Sequence, residues 1–200
     1  MNQNYLTVGK QVLDDEIRDL QTLSAHLNDS FNRACRLIDT CQGRVIFIGI
    51  GHSGHVAAKS ASSFNSLGLH AFFLHAAEAV HGELGAVTGQ DVCVLISNSG
   101  ETDELLALLP RIRSVGAKRI AVVGKPNSSL GKGCDVTLST EFQQEAGPLK
   151  FAGSSSALLA MALCDALAMA VAQARGLTAE GYSQHHPGGA VGKQLRKDLA

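Results

Sequence analysis

The sequence predicts an α/β fold: a doubly wound, five-stranded parallel sheet flanked by helices, with a helical N-terminal arm in front of it. Two observations carry this. Short apolar runs recur along the chain, and stretches with a helical pattern separate them. A strand that is apolar at every position, not at alternate ones, is buried on both faces. That is the condition of a parallel sheet with helices on each side.

The elements follow in order. In the arm, Leu6, Leu13, Ile17, Leu20 and Leu27 recur at steps of three or four residues or their multiples, which marks one face of an amphipathic helix. A second helix is predicted over Phe31–Thr40, with Gly43 ending it. The body opens on the apolar run Arg44–Ile50, and further strands are predicted at Ala71–Leu74, Asp91–Ser97, Arg119–Gly124 and Asp135–Ser139. Helices are predicted over Ser53–Leu67, Asp103–Val115, Ser128–Lys132 and Ser154–Arg175, the last followed by Gly176 in the C′ position. The chain thus divides into an arm, residues 1–42, which packs on the domain or on a partner subunit, and a domain, residues 43–200. Ligands of such sheets bind beyond the carboxyl ends of the strands, where strand order reverses. The loops after Ile50, Leu74, Ser97, Gly124 and Ser139 are therefore the places to look for chemistry.

Composition narrows the class. Two hundred residues suit one domain, and 45% hydrophobic against 18% charged residues is a globular balance. With 17 basic and 18 acidic residues the net charge is −1, so the chain lacks the basic excess of a nucleic-acid or membrane-surface protein. Five cysteines, an odd number with no Cys-x-x-Cys pair, fit reduced thiols in a cytoplasmic protein better than a disulfide framework. The N-terminus shows no signal-peptide pattern. The longest apolar run, Ala157–Ala172, is interrupted by Asp165 and reads as a buried helix short of a membrane span.

Four segments carry candidate chemistry. Gly49-Ile-Gly-His-Ser-Gly54 has the spacing of a dinucleotide fingerprint, yet the next strand ends Phe72-Phe-Leu-His75 without the acid such a site needs. Ser97-Asn-Ser-Gly-Glu-Thr102 follows a fully apolar strand and opens a helix. Its hydroxyls and free N–H groups suit a phosphate dianion, whereas ordinary capping needs only one such residue. Glu101, Asp103 and Glu104 lie beside it, so they must point away or face the reactive end of a substrate. Gly153-Ser-Ser-Ser156 is a second hydroxyl-rich helix start. Finally, His75 and His81 lie near Glu78 and Glu83, and His185-His-Pro-Gly-Gly189 lies near the C-terminus, with Glu145 ahead of Pro148. Imidazole and carboxylate are the usual proton-transfer pair near neutral pH.

Taken together, Ser97-Asn-Ser-Gly-Glu, His81-Gly-Glu-Leu-Gly85, Glu145-Ala-Gly-Pro-Leu149, Gly176-Leu-Thr-Ala-Glu180 and His186-Pro-Gly-Gly189 resemble the sugar isomerase (SIS) domain of arabinose-5-phosphate isomerases, from about Tyr5 to Leu195. The resemblance implies interconversion of D-ribulose 5-phosphate and D-arabinose 5-phosphate towards Kdo, with no cofactor. It also implies a homo-oligomer, dimer or tetramer, with sites near subunit boundaries and no nucleic-acid or membrane partner. Carried over by motif, the acid–base candidates are Glu104, Glu145, His81 and His186. The phosphate loop is Ser97, Ser99 and Thr102. Gly68 and Leu69 match a segment beside the substrate, and Ser53, Asn98, Gly100, Ser154 and Ser155 complete the expected contacts. His75 matches a position that takes an adventitious, inhibitory zinc ion.

Two departures stand out. His52 replaces the lysine usual in the first loop of the family, with Lys59 further along the helix as a stand-in, and the CBS modules that many relatives carry are missing from this sequence. Two other readings stay open at this point: an isomerase for a different phosphosugar, and a non-catalytic sugar-phosphate sensor. The acidic run Asp14, Asp15, Glu16 and Asp19 counts against a DNA-binding arm.

Overall fold

A computed structural model describes residues 4–198; the outer limits of the two predicted regions, residues 1 and 200, lie outside them. The arm comprises α1 (Tyr5–Ala25) and α2 (Asp29–Asp39). The body runs β1 (Val45–Gly49), α3 (Gly51–Ser66), β2 (Ala71–His75), α4 (Ala76–Val80), a 3₁₀ turn over Glu83–Ala86, β3 (Val92–Ser97), α5 (Asp103–Val115) and β4 (Lys118–Val123). It continues with α6 (Ser129–Gly133), β5 (Val136–Ser139), α7 (Ser155–Ala174), α8 (Ala179–His185) and α9 (Gly189–Asp198). All five predicted strands are present, and all pair in parallel in the order β2-β1-β3-β4-β5.

The two central strands explain the layers. Every residue of β1 and of β3 is buried. Alternate side chains feed two cores. Val45, Phe47, Val92, Val94 and Ile96 face α2, α3 and α7, with Phe64 and Leu163 among their neighbours. Ile46, Ile48, Cys93 and Leu95 face the other way, towards α4, α5 and α6, with Ala76, Leu105 and Leu130. The chain steps from β1 to β2 in one direction and from β3 to β4 and β5 in the other. Right-handed crossovers then force the helices onto opposite faces and open a crevice between the carboxyl ends of β1 and β3.

Three segments differ from the prediction. The stretch after β2 holds α4 and a 3₁₀ turn where a loop was expected, and α8 and α9 follow α7. Each is short or polar, so its period carries little signal. Helix α1 packs through only part of its predicted stripe: Leu20 is half-buried against the core, whereas Leu6, Leu13 and Ile17 are exposed and Asp19 and Leu23 are buried against the domain. Helix α7 is 20 residues long and, by length and composition alone, apolar enough to cross a bilayer. It packs instead on the sheet layer through Leu159, Leu163, Leu167 and Val171, and Gly176, at φ 72°, follows its C-cap as predicted.

The amino-terminal edge of the sheet is tied by one buried carboxylate. Asp91 is 2% exposed. Its Oδ1 accepts from the Arg44 N–H at 2.7 Å, and its Oδ2 accepts from the Thr88 N–H at 2.7 Å and the Thr88 hydroxyl at 2.9 Å. Gly43 is required beside it, since a Cβ there would lie 2.3 Å from Asp91 Oδ1. Replacing Asp91 by Ala strands these buried donors, and the expected loss is about 3 kcal/mol. Urea unfolding measures it, and a loss under about 1 kcal/mol would show that the edge holds without this carboxylate.

Candidate functional site

The turn between β3 and α5 is built from its own side chains. Ser97, the last residue of β3, is buried, and its Oγ lies 2.8 Å from Thr102 Oγ1 and 3.4 Å from Ser99 Oγ. It also accepts from the Gly100 N–H at 3.0 Å. Gly100 has φ 66°, and a Cβ there would collide with Ser128 Oγ at 2.0 Å, so only glycine fits. Three bonds strap the turn to the β4–α6 loop. Gly124 N donates to Asn98 O at 3.1 Å, Leu130 N to Gly100 O at 3.0 Å, and Ser129 N to Glu101 Oε1 at 2.8 Å. Helix α5 starts at Thr102 with no side-chain cap, because the Thr102 hydroxyl is engaged with Ser97. Leu105 N–H already donates to Thr102 O at 3.0 Å, and the Asp103 and Glu104 N–H groups stay open, which favours the anion-site reading of this turn over simple capping.

The crowding of acids around the turn is resolved by direction. Glu101 turns away and caps α6. The Ser129 amide bond, chiefly, holds its carboxyl below the ordinary range. Asp103 is exposed, and Glu104, in the first turn of α5, is half-buried.

A small cleft connects this turn to its neighbours. It is lined by His52 and Ser53 at the start of α3, Asn98 of the β3–α5 turn, Thr140 after β5, and Ser156 and Ala157 at the start of α7. Opposite the turn, Glu145 is 8% exposed. Its Oε2 accepts from Ser154 N at 2.9 Å and Ser156 N at 3.1 Å, with Ser154 Oγ at 3.3 Å. A carboxylate nine residues upstream thus caps α7 through one oxygen and leaves Oε1 uncommitted by these bonds. Of the two candidate acid–base carboxylates, Glu145 is buried and Glu104 half-buried. The Ser154 and Ser156 N–H groups of the Gly153–Ser156 turn are correspondingly taken, and the Ser155 side chain is fully buried with its Oγ unpartnered. With a carboxylate already at this helix start, it is not a second open anion site, and of its serines Ser156 lines the cleft.

Other predicted residues lie elsewhere in the chain. Helix α3 has 16 residues, so its ends are about 24 Å apart. Ser66 is at the far end, and its Oγ lies 3.1 Å from His186 Nε2. His186 is further fixed by Tyr182, whose carbonyl is 2.9 Å from Nδ1 and whose ring stacks on it at 4.1 Å. Gly68 and Leu69 share that end, with Gly68 against His185 and Leu69 buried. One chain therefore does not bring His186, Gly68 or Leu69 to the hydroxyl turn. His81 is exposed at the end of α4 and does not line the cleft. Lys59 pairs with Asp165 of α7, so it does not stand in for the family lysine; His52 remains at the cleft, its ring beside Gly153.

His75 ends β2 beside Gly49, with its Nδ1 buried and unpartnered. Among the described residues no group of three His, Cys, Asp or Glu side chains could hold a metal ion. The five thiols are free, and burial pushes Cys93, Cys134 and Cys164 up to about 12, far from a reactive thiolate. Sequence reasoning missed Thr140 and the capping role of Glu145. Both lie in an irregular segment where no period relates a residue to its partner.

A parallel sheet with a strapped helix start that lacks a side-chain cap at its switch point defines the class of this α/β domain. Residues 40–170 match the SIS domain, and the chain belongs to that family. It is 42% identical over 192 residues to the arabinose 5-phosphate isomerase KdsD of Salmonella typhi, which covers 96% of this chain and 58% of that protein. Against the protein of the same name from Pseudomonas aeruginosa the identity is 41% over 194 residues, 97% of this chain and 60% of the other. The chain thus spans a little under two thirds of these curated relatives. Among solved structures it is similar to E. coli CFT073 c3406 in complex with arabinose 5-phosphate, at TM-score 0.89 and 35% identity, covering 94% of this chain and 100% of that one.

The Glu101 tie has a measurable signature. A carboxylate whose pKa is depressed on folding contributes stability above its unfolded pKa and loses it as pH falls through the folded value. The Ser129 amide resonance is expected to titrate with a midpoint below about 4.3. A midpoint at or above that value would mean that Glu101 does not cap α6.

Proposed function

We propose that this chain is an aldose–ketose isomerase that interconverts D-ribulose 5-phosphate and D-arabinose 5-phosphate in the cytoplasm, supplying the precursor of Kdo. The observation that carries the reading is the hydroxyl turn at an uncapped helix start, facing a cleft whose other wall leads to Glu145. Identity to proteins named arabinose 5-phosphate isomerase supports the substrate.

The chemistry follows from the layout. Ser97, Ser99, Thr102 and the open amides of α5 take the phosphate, with Asn98 and Ser53 at the cleft. Gripping the remote phosphate turns binding energy into orientation at C1 and C2. The uncommitted Glu145 Oε1 removes the proton from C2 of the open-chain aldose. Those electrons form the C1–C2 double bond of an enediolate, and the carbonyl oxygen takes a proton. Returning a proton to C1 and releasing one from the C2 hydroxyl completes the ketose, so no external oxidant or reductant enters. Glu104, beside the phosphate turn, is the second carboxylate available to move oxygen-bound protons. His52 stands where the family lysine would be and leaves the cleft without a permanent cation, which bears on the choice of phosphosugar.

We further propose that the site is completed by a homo-oligomer. His186 and Gly68 sit at the far end of α3, so within one chain they are out of reach of a sugar held at the hydroxyl turn. His81, His186 and the turn at Gly68 would then enter from a second copy, with Leu69 anchoring that turn in its own core. The outward stripe of α1, with Tyr5, Leu6, Leu13 and Ile17 exposed, gives that copy an apolar face to cover.

Proton NMR of ribulose 5-phosphate in deuterated water tests the activity. Expected are new aldose anomeric signals and solvent deuterium in the product. Glu145→Gln should lower turnover roughly a hundredfold or more, and His186→Ala should also lower it. Tight binding with no exchange would make the protein a sensor, and exchange confined to another sugar phosphate would change the substrate. Deleting residues 1–28 should reduce the assembly seen by sedimentation velocity, and an unchanged profile would exclude the arm from the interface.

A further inference from the structure

Residues 140–154, between β5 and α7, form no helix or strand, yet they carry Glu145. The segment is tied at its entry, where Thr140 N donates to Val123 O at 2.8 Å. It is tied again where Glu145 meets Ser154 and Ser156, and where Ser154 Oγ donates to Ala146 O at 3.1 Å. The excursion between Ala146 and Ser154 is not held by burial: Leu149 is 74% exposed and Phe151 is 90% exposed.

What meets the excursion is the arm. Gly147 lies against the side chain of Val12. Lys150 Nζ donates to Asp15 Oδ2 at 3.2 Å, while Arg18 holds Asp15 Oδ1 at 2.6 Å and so presents the other oxygen to the lysine. Both side chains of the pair are partly shielded, which lessens screening by salt. Lys150 is also the one non-glycine residue with positive φ, 56°, among the described residues. A residue with a Cβ adopts that conformation at a cost and keeps it only where its surroundings over-determine it. Here the ion pair to α1 is the over-determining contact.

We propose that Lys150 and Asp15 are positioning residues: the N-terminal arm braces the excursion through their ion pair and so holds Glu145 in line with the cleft. This rests on the reading of Glu145 as the acid–base carboxylate. Neither residue touches the cleft, so both act through the segment they hold.

Four variants test it. Lys150→Gly removes the charge and relieves the backbone, so a folding failure is not expected. Asp15→Asn removes the partner. Both should lower kcat roughly tenfold or more with KM for ribulose 5-phosphate little changed, and should raise amide hydrogen exchange across residues 141–153. Lys150→Arg should keep wild-type values. The reversed pair, Asp15→Lys with Lys150→Asp, should recover both readouts, since Asp tolerates the left-handed conformation. Wild-type exchange in Lys150→Gly, or a fall in kcat with no faster exchange, would overturn the brace. If the wild-type chain turns over no sugar phosphate, the isomerase reading falls by itself, and the exchange data still decide whether the arm holds the segment.

Discussion

The constraint on which the structure depends is the double burial of β1 and β3. Two adjacent strands apolar up to the last residue of β3 must be covered on both faces, and a single chain can do that only by reversing the direction of its crossovers between them. The reversal leaves the carboxyl ends of β1 and β3 without a helix bridging them. Backbone N–H groups at the starts of α3 and α5 then converge on one crevice. Ser97 stands at its floor because it ends a strand whose other residues are buried and apolar. The site is thus a product of core packing, and its polar residues occupy the only edge that the packing leaves open.

Within that crevice the carboxylates are sorted by their partners. A helix start attracts anions of any kind, so every nearby acid competes with a phosphate. Glu101 is removed from the competition by capping α6, and Glu145 by capping α7 with one oxygen. Each is neutralised by amides rather than by lysine or arginine. An anion at α5 then meets a lower negative field than the sequence count of acids suggests. The same arrangement keeps one Glu145 oxygen free and fixes its direction, as proton transfer to or from carbon requires.

Much of this was legible in the residues. Continuous apolar runs located all five strands, and the run of small polar residues after Ser97 marked the turn that we propose takes the phosphate. Those signals are local: burial on two faces shows in each strand by itself, and a turn of hydroxyls shows in six consecutive residues. What stayed hidden depends on contacts between distant segments. The stripe Leu6, Leu13 and Ile17 has the spacing of a core face, yet α1 packs through Val12, Asp15, Asp19 and Leu23, because polar ties to the 141–150 segment compete with apolar burial. Ser155 belongs to a run that reads as an open anion turn, but a glutamate nine positions upstream occupies its amides. Gly68, Leu69 and His186 match motif positions in the chain, and spacing along the chain does not show that the length of α3, about 24 Å, lies between them and the end that carries His52.

That separation has a consequence for how the family motif works. His186 is not loose in this chain: Ser66, Tyr182 and the turn around Gly68 hold its ring in a defined orientation on the rim opposite the cleft. An imidazole so fixed, with no acid beside it, has little to do inside its own subunit. Its orientation is useful only to something that docks on that rim. On the proposal that the protein works as a homo-oligomer, the hydroxyl turn and the imidazole at opposite ends of α3 would be shared between copies, each chain offering its turn to one neighbour and its imidazole to another. The exposed apolar stripe of α1 and the half-covered apolar face of α7 supply the surface such sharing needs. In the proposed assembly, catalysis would depend on the same geometry, since a copy that drifted on its partner's surface would carry the imidazole away from the sugar.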